Sequence, residues 1–199
     1  MIPEKDGASY QLFQFMTVFM QEPHDKDLVK RCLKGDQKAF EMLLDRYQKP
    51  VYNLALRMVN DIDDAADLTQ TVFIKAYEKF SSYNDRFKFY SWLYKIAVNT
   101  SLNFVEKNKR QDLLGDRDVL QGSPLEEEIE SLERVEKLEE AILELRPEYR
   151  IVIVLRHFHD LSYDEMGIIL DIPEKTVKSR LFAARQMLKD LLSKSGLME

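Results

Sequence analysis

Cysteine occurs once in 199 residues, at Cys32, so no disulfide can form within the chain, and a reducing compartment suits it. A lone cysteine of this kind reads as a small buried hydrophobe rather than a reactive thiol. No apolar run approaches the roughly 20 residues that span a bilayer. The stretch from Leu12 to Met20 is apolar, but it is short and broken by Gln14 and Thr17. It also lacks the basic start and small-residue cleavage site of a signal peptide, so a cytoplasmic protein is expected. Strand-like alternation is nearly absent, and the β-branched run Ile151 to Leu155 falls within a helical frame. There is no internal repeat. The chain also lacks a carboxylate pair, a nucleophile–base set and a phosphate-binding loop, so catalysis is the least supported role and no cofactor is expected. His157 and His159 stand two apart with no cysteine nearby, a poor spacing for a metal on a helix, and no zinc is assigned.

The net charge of −6 is local in origin. Between Gln111 and Glu130 lie seven acids (Asp112, Asp116, Asp118, Glu126, Glu127, Glu128, Glu130) and one base, Arg117, a net of −6. The remainder therefore sums to zero, and the acidic total is no argument against a nucleic-acid partner. The same segment holds Gly115, Gly122, Ser123 and Pro124, which mark a linker. The length suits two small domains. Residues 24–110 and 131–194 are read as those domains, 111–130 as the acidic linker, and 1–23 as an N-terminal extension, expected to be disordered. Met16 and Met20 are alternative starts.

Cations cluster near the C-terminus. From Lys175 to Lys189 the chain carries Lys175, Lys178, Arg180, Arg185 and Lys189 and no acid. Upstream, Ser162-Tyr163-Asp164-Glu165 has the form of a capping box opening a short helix that runs through Leu170. Asp171-Ile172-Pro173 breaks it, because Pro173 has no N–H and restricts Ile172. A second helix is predicted from Glu174, with Val177, Leu181, Ala184, Leu188 and Leu191 as its apolar stripe. Gly167 permits close crossing of the pair. Helix, three-residue break and basic amphipathic helix outline a helix-turn-helix, whose second helix would enter a major groove. The plainer alternative is a helical hairpin with a solvated cationic face. Phe182, on the polar face, suits contact with thymine methyls or a partner protein.

Toward the N-terminus helices are predicted at about 25–34, 36–59, 63–80 and 89–109, with Asp36 capping the second and Pro50 kinking or dividing it. In the third, Ala66, Thr69, Phe73, Ala76, Tyr77 and Phe80 are expected inside. Asp64, Asp67, Leu68, Thr71, Lys75 and Glu78 face out, leaving Leu68 stranded on a mixed surface. In the fourth, Leu93, Ile96, Ala97, Thr100 and Phe104 form the core stripe. A second stripe carries Trp92, Lys95 (or Ile96), Asn99, Asn103, Glu106 and Arg110. The loop before it, Tyr83 to Tyr90, alternates aromatics with cations. Aromatics stack on unpaired bases, amides bond base edges and cations track phosphate, which is the composition of a single-strand surface. Those same aromatics also suit a core, with Phe89 and Trp92 shared between core and surface.

Four segments then occur in order: Gly35 to Phe40, Asp67 to Tyr77, Phe89 to Asn99, and Leu161 to Leu181. Together they resemble a bacterial RNA polymerase sigma factor of the sigma-70 family, extracytoplasmic-function (group 4) type, over about Asp25 to Leu192. The resemblance implies an all-α chain: a region 2 helical bundle and a region 4 helix-turn-helix joined by an acidic flexible linker. It implies a non-catalytic factor that binds core polymerase through the β′ clamp helices and the β subunit, reads promoter DNA, and is held by an anti-sigma protein, often membrane-bound. By residue, it implies that Asp64, Asp67, Leu68, Gln70, Thr71 and Lys75 contact core polymerase. Tyr83, Asn84, Arg86, Lys88, Phe89, Trp92, Lys95, Asn99, Asn103 and Arg110 would hold the melted −10 element, with Asn99 supporting a flipped-base pocket. Lys175, Thr176, Lys178, Ser179, Arg180, Phe182 and Arg185 would read the −35 duplex. The acidic linker would thread toward the active-site cleft, mimicking nucleic acid.

The chain departs from the family pattern where Lys175 replaces a frequent glycine and Ala183 a frequent base. Asn84-Asp85-Arg86-Phe87 also replaces the usual acidic-glycine turn. Two other readings compete. A stand-alone helix-turn-helix regulator explains the C-terminal half but leaves the aromatic loop and the Trp92 stripe without a role. A protein-interaction module docking an acidic partner draws its support from Phe182.

Overall fold

The computed structural model describes residues 23–112 and 129–194. The expected N-terminal extension (except Pro23) and most of the acidic linker lie outside the described residues, as does the side chain of Arg110. Every regular element among the described residues is a helix or helical turn, and they form two compact units that divide between Leu43 and Leu44.

The first unit contains α1 (Asp25–Cys32) and the opening turns of α2 (Gln37–Val59). Asp25 and Asp27 in the first turn of α1, with Lys30 and Arg31 in its last, complement the helix dipole. Gly35, at φ 85°, turns the chain in a conformation that favours glycine. Asp36 then caps α2 by accepting the Ala39 amide at 3.2 Å, as expected. The Arg31 guanidinium reaches Asp36 at 2.9 Å and holds its carboxyl below the ordinary carboxylate range.

The second unit contains the remainder of α2, then α3 (Ile62–Glu78), a 3₁₀ turn (Phe80–Ser82) and α4 (Phe89–Asp112). After these come α5 (Ile129–Glu144), α6 (Pro147–Ile153), a π turn (Val154–Phe158), α7 (Tyr163–Leu170) and α8 (Glu174–Lys194). Pro50 does not divide α2, because Val51, Leu54, Ala55 and Met58 beyond it are all buried. Packing of that face outweighs the one hydrogen bond a proline removes.

Helix α3 corrects one expectation. Its core stripe is Ala65, Leu68, Val72 and Ala76, with Phe73 beside it, whereas Ala66 is exposed and Tyr77 is 56% exposed. Leu68, expected on the outer face, is only 5% exposed and packs with Ala55 and Ala65 beneath Tyr52, Leu56, Val59 and Phe104. Two apolar sets at helical spacing run along α3. The set facing α2 and α4 is the one rotated about a third of a turn from the expected stripe, and burying a leucine there contributes roughly 2 kcal/mol.

Helix α4 carries three stripes rather than two. Leu93, Ala97 and Thr100 are buried where α4 packs on α3. Tyr94, Val98 and Ser101 are buried as well, on the side where α7 lies across it. Asn99 and Asn103 remain exposed, with Trp92 half-buried at the head of their stripe. Helix α8 closes the C-terminal part by packing on α5, α6 and α7.

Candidate nucleic-acid interface

The helix-turn-helix forms as its sequence dictates. The Glu165 carboxylate accepts the Ser162 amide at 3.0 Å and its hydroxyl at 2.8 Å, one arm of the expected capping box. Helix α7 ends at Asp171, whose φ of 57° is left-handed, and the Ile172 amide returns to the Gly167 carbonyl at 3.1 Å. A Cβ on Gly167 would lie 3.0 Å from the Ile172 carbonyl oxygen and 3.8 Å from the Glu174 amide nitrogen. Glycine therefore sets how closely the turn into α8 passes over α7.

Helix α8 buries Val177, Leu181 and Ala184 fully, and Leu188 and Leu191 partly, as the stripe predicts. Its opposite side presents Lys175, Lys178, Ser179, Phe182 and Arg185 to solvent, with Thr176 and Arg180 half-buried at the margin. Phe182 is 66% exposed, a large ring that a stability argument alone leaves unexplained. Lys178 bonds Glu174 at 2.7 Å, which raises its pKa, and stands 5.4 Å from the Tyr163 ring centre. Arg185 approaches His157 Nε2 at 3.3 Å. Ser179 donates to the Thr176 carbonyl at 3.0 Å, which leaves its oxygen as an acceptor.

At the other candidate surface the aromatics form a cluster rather than a free stacking ladder. Phe80 stacks on Phe89 with centroids 6.1 Å apart, and Trp92 lies 5.7 Å from Phe89 and 5.6 Å from Tyr83. Tyr47 closes the far side at 5.5 Å from Phe89. Phe89 is only 3% exposed, so of the two roles expected for it the core role holds, while Trp92 keeps an accessible edge. The loop between Tyr83 and Lys88 is held by its own side chains. The Tyr83 hydroxyl donates to the Phe87 carbonyl at 2.7 Å, and Asn84 Oδ1 accepts the Arg86 amide at 3.0 Å. Asn84, Arg86 and Lys88 stand exposed on it, as does Phe87, 46% exposed at the tip. Pattern reading left Phe87 out of the contact set; its place between two cations is the signal that points to it.

On the α3 surface, Asp67 and Gln70 are exposed and Asp64 and Thr71 half-exposed. Lys75 donates to the Thr100 hydroxyl at 3.2 Å, tying α3 to α4. Ile74, 53% exposed, and Tyr77 add apolar area that the expected contact set omitted.

Sequence reading also missed a line of contacts between the helix-turn-helix and the earlier helices of the same unit. Glu165 accepts from Lys88 at 2.9 Å and from the Tyr90 hydroxyl. Tyr90 foremost, and then Lys88, bring the Glu165 carboxyl down to about 2. Lys95 pairs with Asp171 at 3.1 Å. Tyr94 and His159 share a hydrogen bond at 3.0 Å. Burial pushes Tyr94 up to about 12 and His159 down to about 4, with the Arg57 charge adding to the second shift. Arg57 lies over the Phe158 ring at 4.0 Å. Arg150, 9% exposed, is a buried cation that donates to the carbonyls of Met58 at 2.6 Å and Leu145 at 3.2 Å, and also to that of Leu143. These carbonyls close the ends of α2 and α5, so the guanidinium serves two helix C-termini and takes their partial negative charge as its counter-charge. Among the described residues no group of three or more His, Cys, Asp or Glu side chains is placed to hold a metal.

Two family models match the chain: Sigma-70 region 2 over residues 43–111 and Sigma-70, region 4 over residues 135–188. The chain is 36% identical over 180 residues to the ECF RNA polymerase sigma factor SigW of Bacillus subtilis, covering 84% of this chain and 96% of that one. It is 39% identical over 174 residues to the ECF RNA polymerase sigma-E factor of Escherichia coli K12, covering 81% and 91%. In fold it is similar to the sigma factor RpoE from Bartonella quintana, solved in complex with the anti-sigma factor NepR. That match has a TM-score of 0.63, with 22% identity over 78% of this chain and 98% of that one.

Proposed function

This chain belongs to the sigma-70 family, in its extracytoplasmic-function group, and from that premise we propose that it works as an alternative sigma factor. It binds core RNA polymerase and directs initiation at a particular set of promoters, carrying no catalytic step of its own and needing no cofactor. The observation that carries the division of labour is the outward face of α8. Lys175, Lys178, Ser179, Phe182 and Arg185 stand exposed on a helix whose approach is fixed by Gly167. A basic helix presented by a tight turn suits the −35 duplex, with Thr176 and Arg180 at its margin.

The second surface suits single-stranded −10 DNA. Asn99 and Asn103 offer amides to base edges, Trp92 offers a ring edge, and Arg86, Lys88 and Lys95 offer charge to phosphate. Tyr83 and Asn84 shape the loop, Phe89 supports it from the core, and Arg110 is assigned to −10 DNA by the family resemblance alone. Core polymerase docks on α3 through Asp64, Asp67, Gln70, Thr71 and Lys75, and Leu68 backs this surface from inside. The functional domains are residues 24–110 and 131–194, with the acidic stretch 111–130 between them. The protein acts in the cytoplasm, and an anti-sigma protein is the expected antagonist, as for the fold neighbour solved with one.

Run-off transcription with core polymerase tests the proposal. Adding the chain should create start sites that core alone does not use. Arg180→Ala should weaken dependence on the −35 element, and Asn99→Ala should impair opening, read by permanganate reactivity of unpaired thymines. Unchanged transcription from both variants would remove the assigned roles, and tight duplex binding without any effect on core would remove the sigma reading.

A further inference from the structure

The two lysines assigned to −10 DNA are already occupied by acids of the helix-turn-helix. Lys88 pairs with Glu165 at 2.9 Å, and Lys95 pairs with Asp171 at 3.1 Å. Both acids belong to α7 or its cap, and α7 lies directly across α4. The lysine side chains remain 70% and 40% exposed, so they are engaged at their charged ends rather than buried. Tyr90 shares the Glu165 carboxylate, and the neutral Tyr94–His159 bond lies alongside. Neither acid is required to be anionic for folding. A capping position accepts glutamine as readily as glutamate, and a left-handed helix end accepts asparagine as readily as aspartate.

We propose that Glu165 and Asp171 act as an intramolecular latch, standing in for DNA phosphate on Lys88 and Lys95 while the helix-turn-helix is docked on α4. This rests on the reading of those lysines as DNA contacts. Single-stranded DNA must then exchange two internal ion pairs for two phosphate contacts, so the free chain gains little net charge neutralisation from either lysine. Releasing the helix-turn-helix from α4 frees both lysines together, which couples the availability of one DNA-reading surface to the position of the other.

The test uses the full chain and a fluorescein-labelled random-sequence single-stranded 20-mer, with binding followed by anisotropy across a salt series. The variant Glu165→Gln with Asp171→Asn removes both acids and keeps both backbone roles. Two released lysines should steepen the slope of log affinity against log salt by about 1.4, at about 0.7 per phosphate contact on a single strand. Affinity at low salt should rise about threefold or more, since each exposed pair is worth a factor of up to about five. Asp171→Asn alone should steepen the slope by about half as much, and it keeps the test decisive if the double variant folds poorly. A charge-matched control on exposed acids elsewhere, Glu78→Gln with Asp190→Asn, should leave the slope unchanged. A latch variant that binds like the wild type, or a control that gains as much as the latch variant, overturns the proposal. Lys88→Ala with Lys95→Ala separates the two readings. If that variant loses binding while the acid variants gain nothing, the latch fails and the DNA assignment stands. If it binds DNA and supports run-off transcription at the wild-type level, the DNA assignment itself fails.

Discussion

Alanine in place of a helical glycine ordinarily stabilises a protein, by about 1 kcal/mol from helix propensity. At Gly167 the opposite is expected. The new methyl would lie 3.0 Å from the Ile172 carbonyl oxygen, tighter than such contacts ordinarily are, and that oxygen belongs to backbone rather than a yielding side chain. The turn has little room to retreat. The Ile172 amide is bonded back to Gly167 at 3.1 Å, Asp171 is already left-handed at φ 57°, and Pro173 fixes the next residue. Overpacking of this kind costs about 1–3 kcal/mol, so Gly167→Ala should lose roughly 1 kcal/mol net. That corresponds to about 2–4 °C in Tm for a chain of this size. Gly167→Val adds two further carbons at the same point and should lose roughly 3 kcal/mol. Thermal unfolding followed by circular dichroism measures both, and −35-dependent transcription should fall in the same order. A Gly167→Ala protein that melts at or above the wild type would refute the claim that this glycine sets the helix crossing.

Three other outcomes follow from the same contacts. Because the folded pKa of His159 lies near 4 against 6.5 for the free side chain, the unfolded chain binds a proton that the folded one refuses in that window. Stability should therefore be full above pH 6.5 and fall by roughly 3 kcal/mol toward pH 4, at about 1.36 kcal/mol per unit. Glu165 loses its own contribution only between 4.5 and about 2, so His159→Phe should flatten urea-derived stability between pH 6.5 and 4.5, and an unaltered slope would count against this assignment. Arg150→Ala leaves three helix-end carbonyls short of a donor and should cost about 2–4 kcal/mol in urea unfolding. Arg150→Lys should recover only part of it, since a single ammonium cannot fork across them. Phe182→Ala should move Tm by less than about 0.5 kcal/mol equivalent yet reduce −35-dependent transcription; a large loss of stability would show the ring to be structural.

The contrast between Gly167 and Arg150 shows what kind of information each link of the chain carries. The capping box at Ser162, the break at Pro173 and the four–three spacing of Val177, Leu181 and Ala184 are local rules. Each acts over a few residues, and so the helix-turn-helix was legible in advance. Helix α3 was not, because Ala66–Thr69–Phe73 and Ala65–Leu68–Val72 satisfy the same period. Only the partners on α2 and α4 select which of the two turns inward. The burial of Phe89 was half legible: its loop had the composition of a surface, and the neighbours that enclose it, Tyr47 and Phe80, come from other helices.

By itself the sequence determined that the chain is helical, where most helices begin and end, that its net negative charge arises in one stretch, and that a basic helix stands apart from it. Those properties arise from neighbouring residues and survive any arrangement of the helices. Tertiary structure alone decided what Arg150, Glu165, Asp171 and His159 do. Their partners Met58, Lys88, Lys95 and Tyr94 lie 65 or more residues away in sequence, apart from the nearby carbonyls that Arg150 also caps. Charge, burial and hydrogen bonding between such groups exist only once α4 and α7 have packed, and no local spacing encodes that meeting.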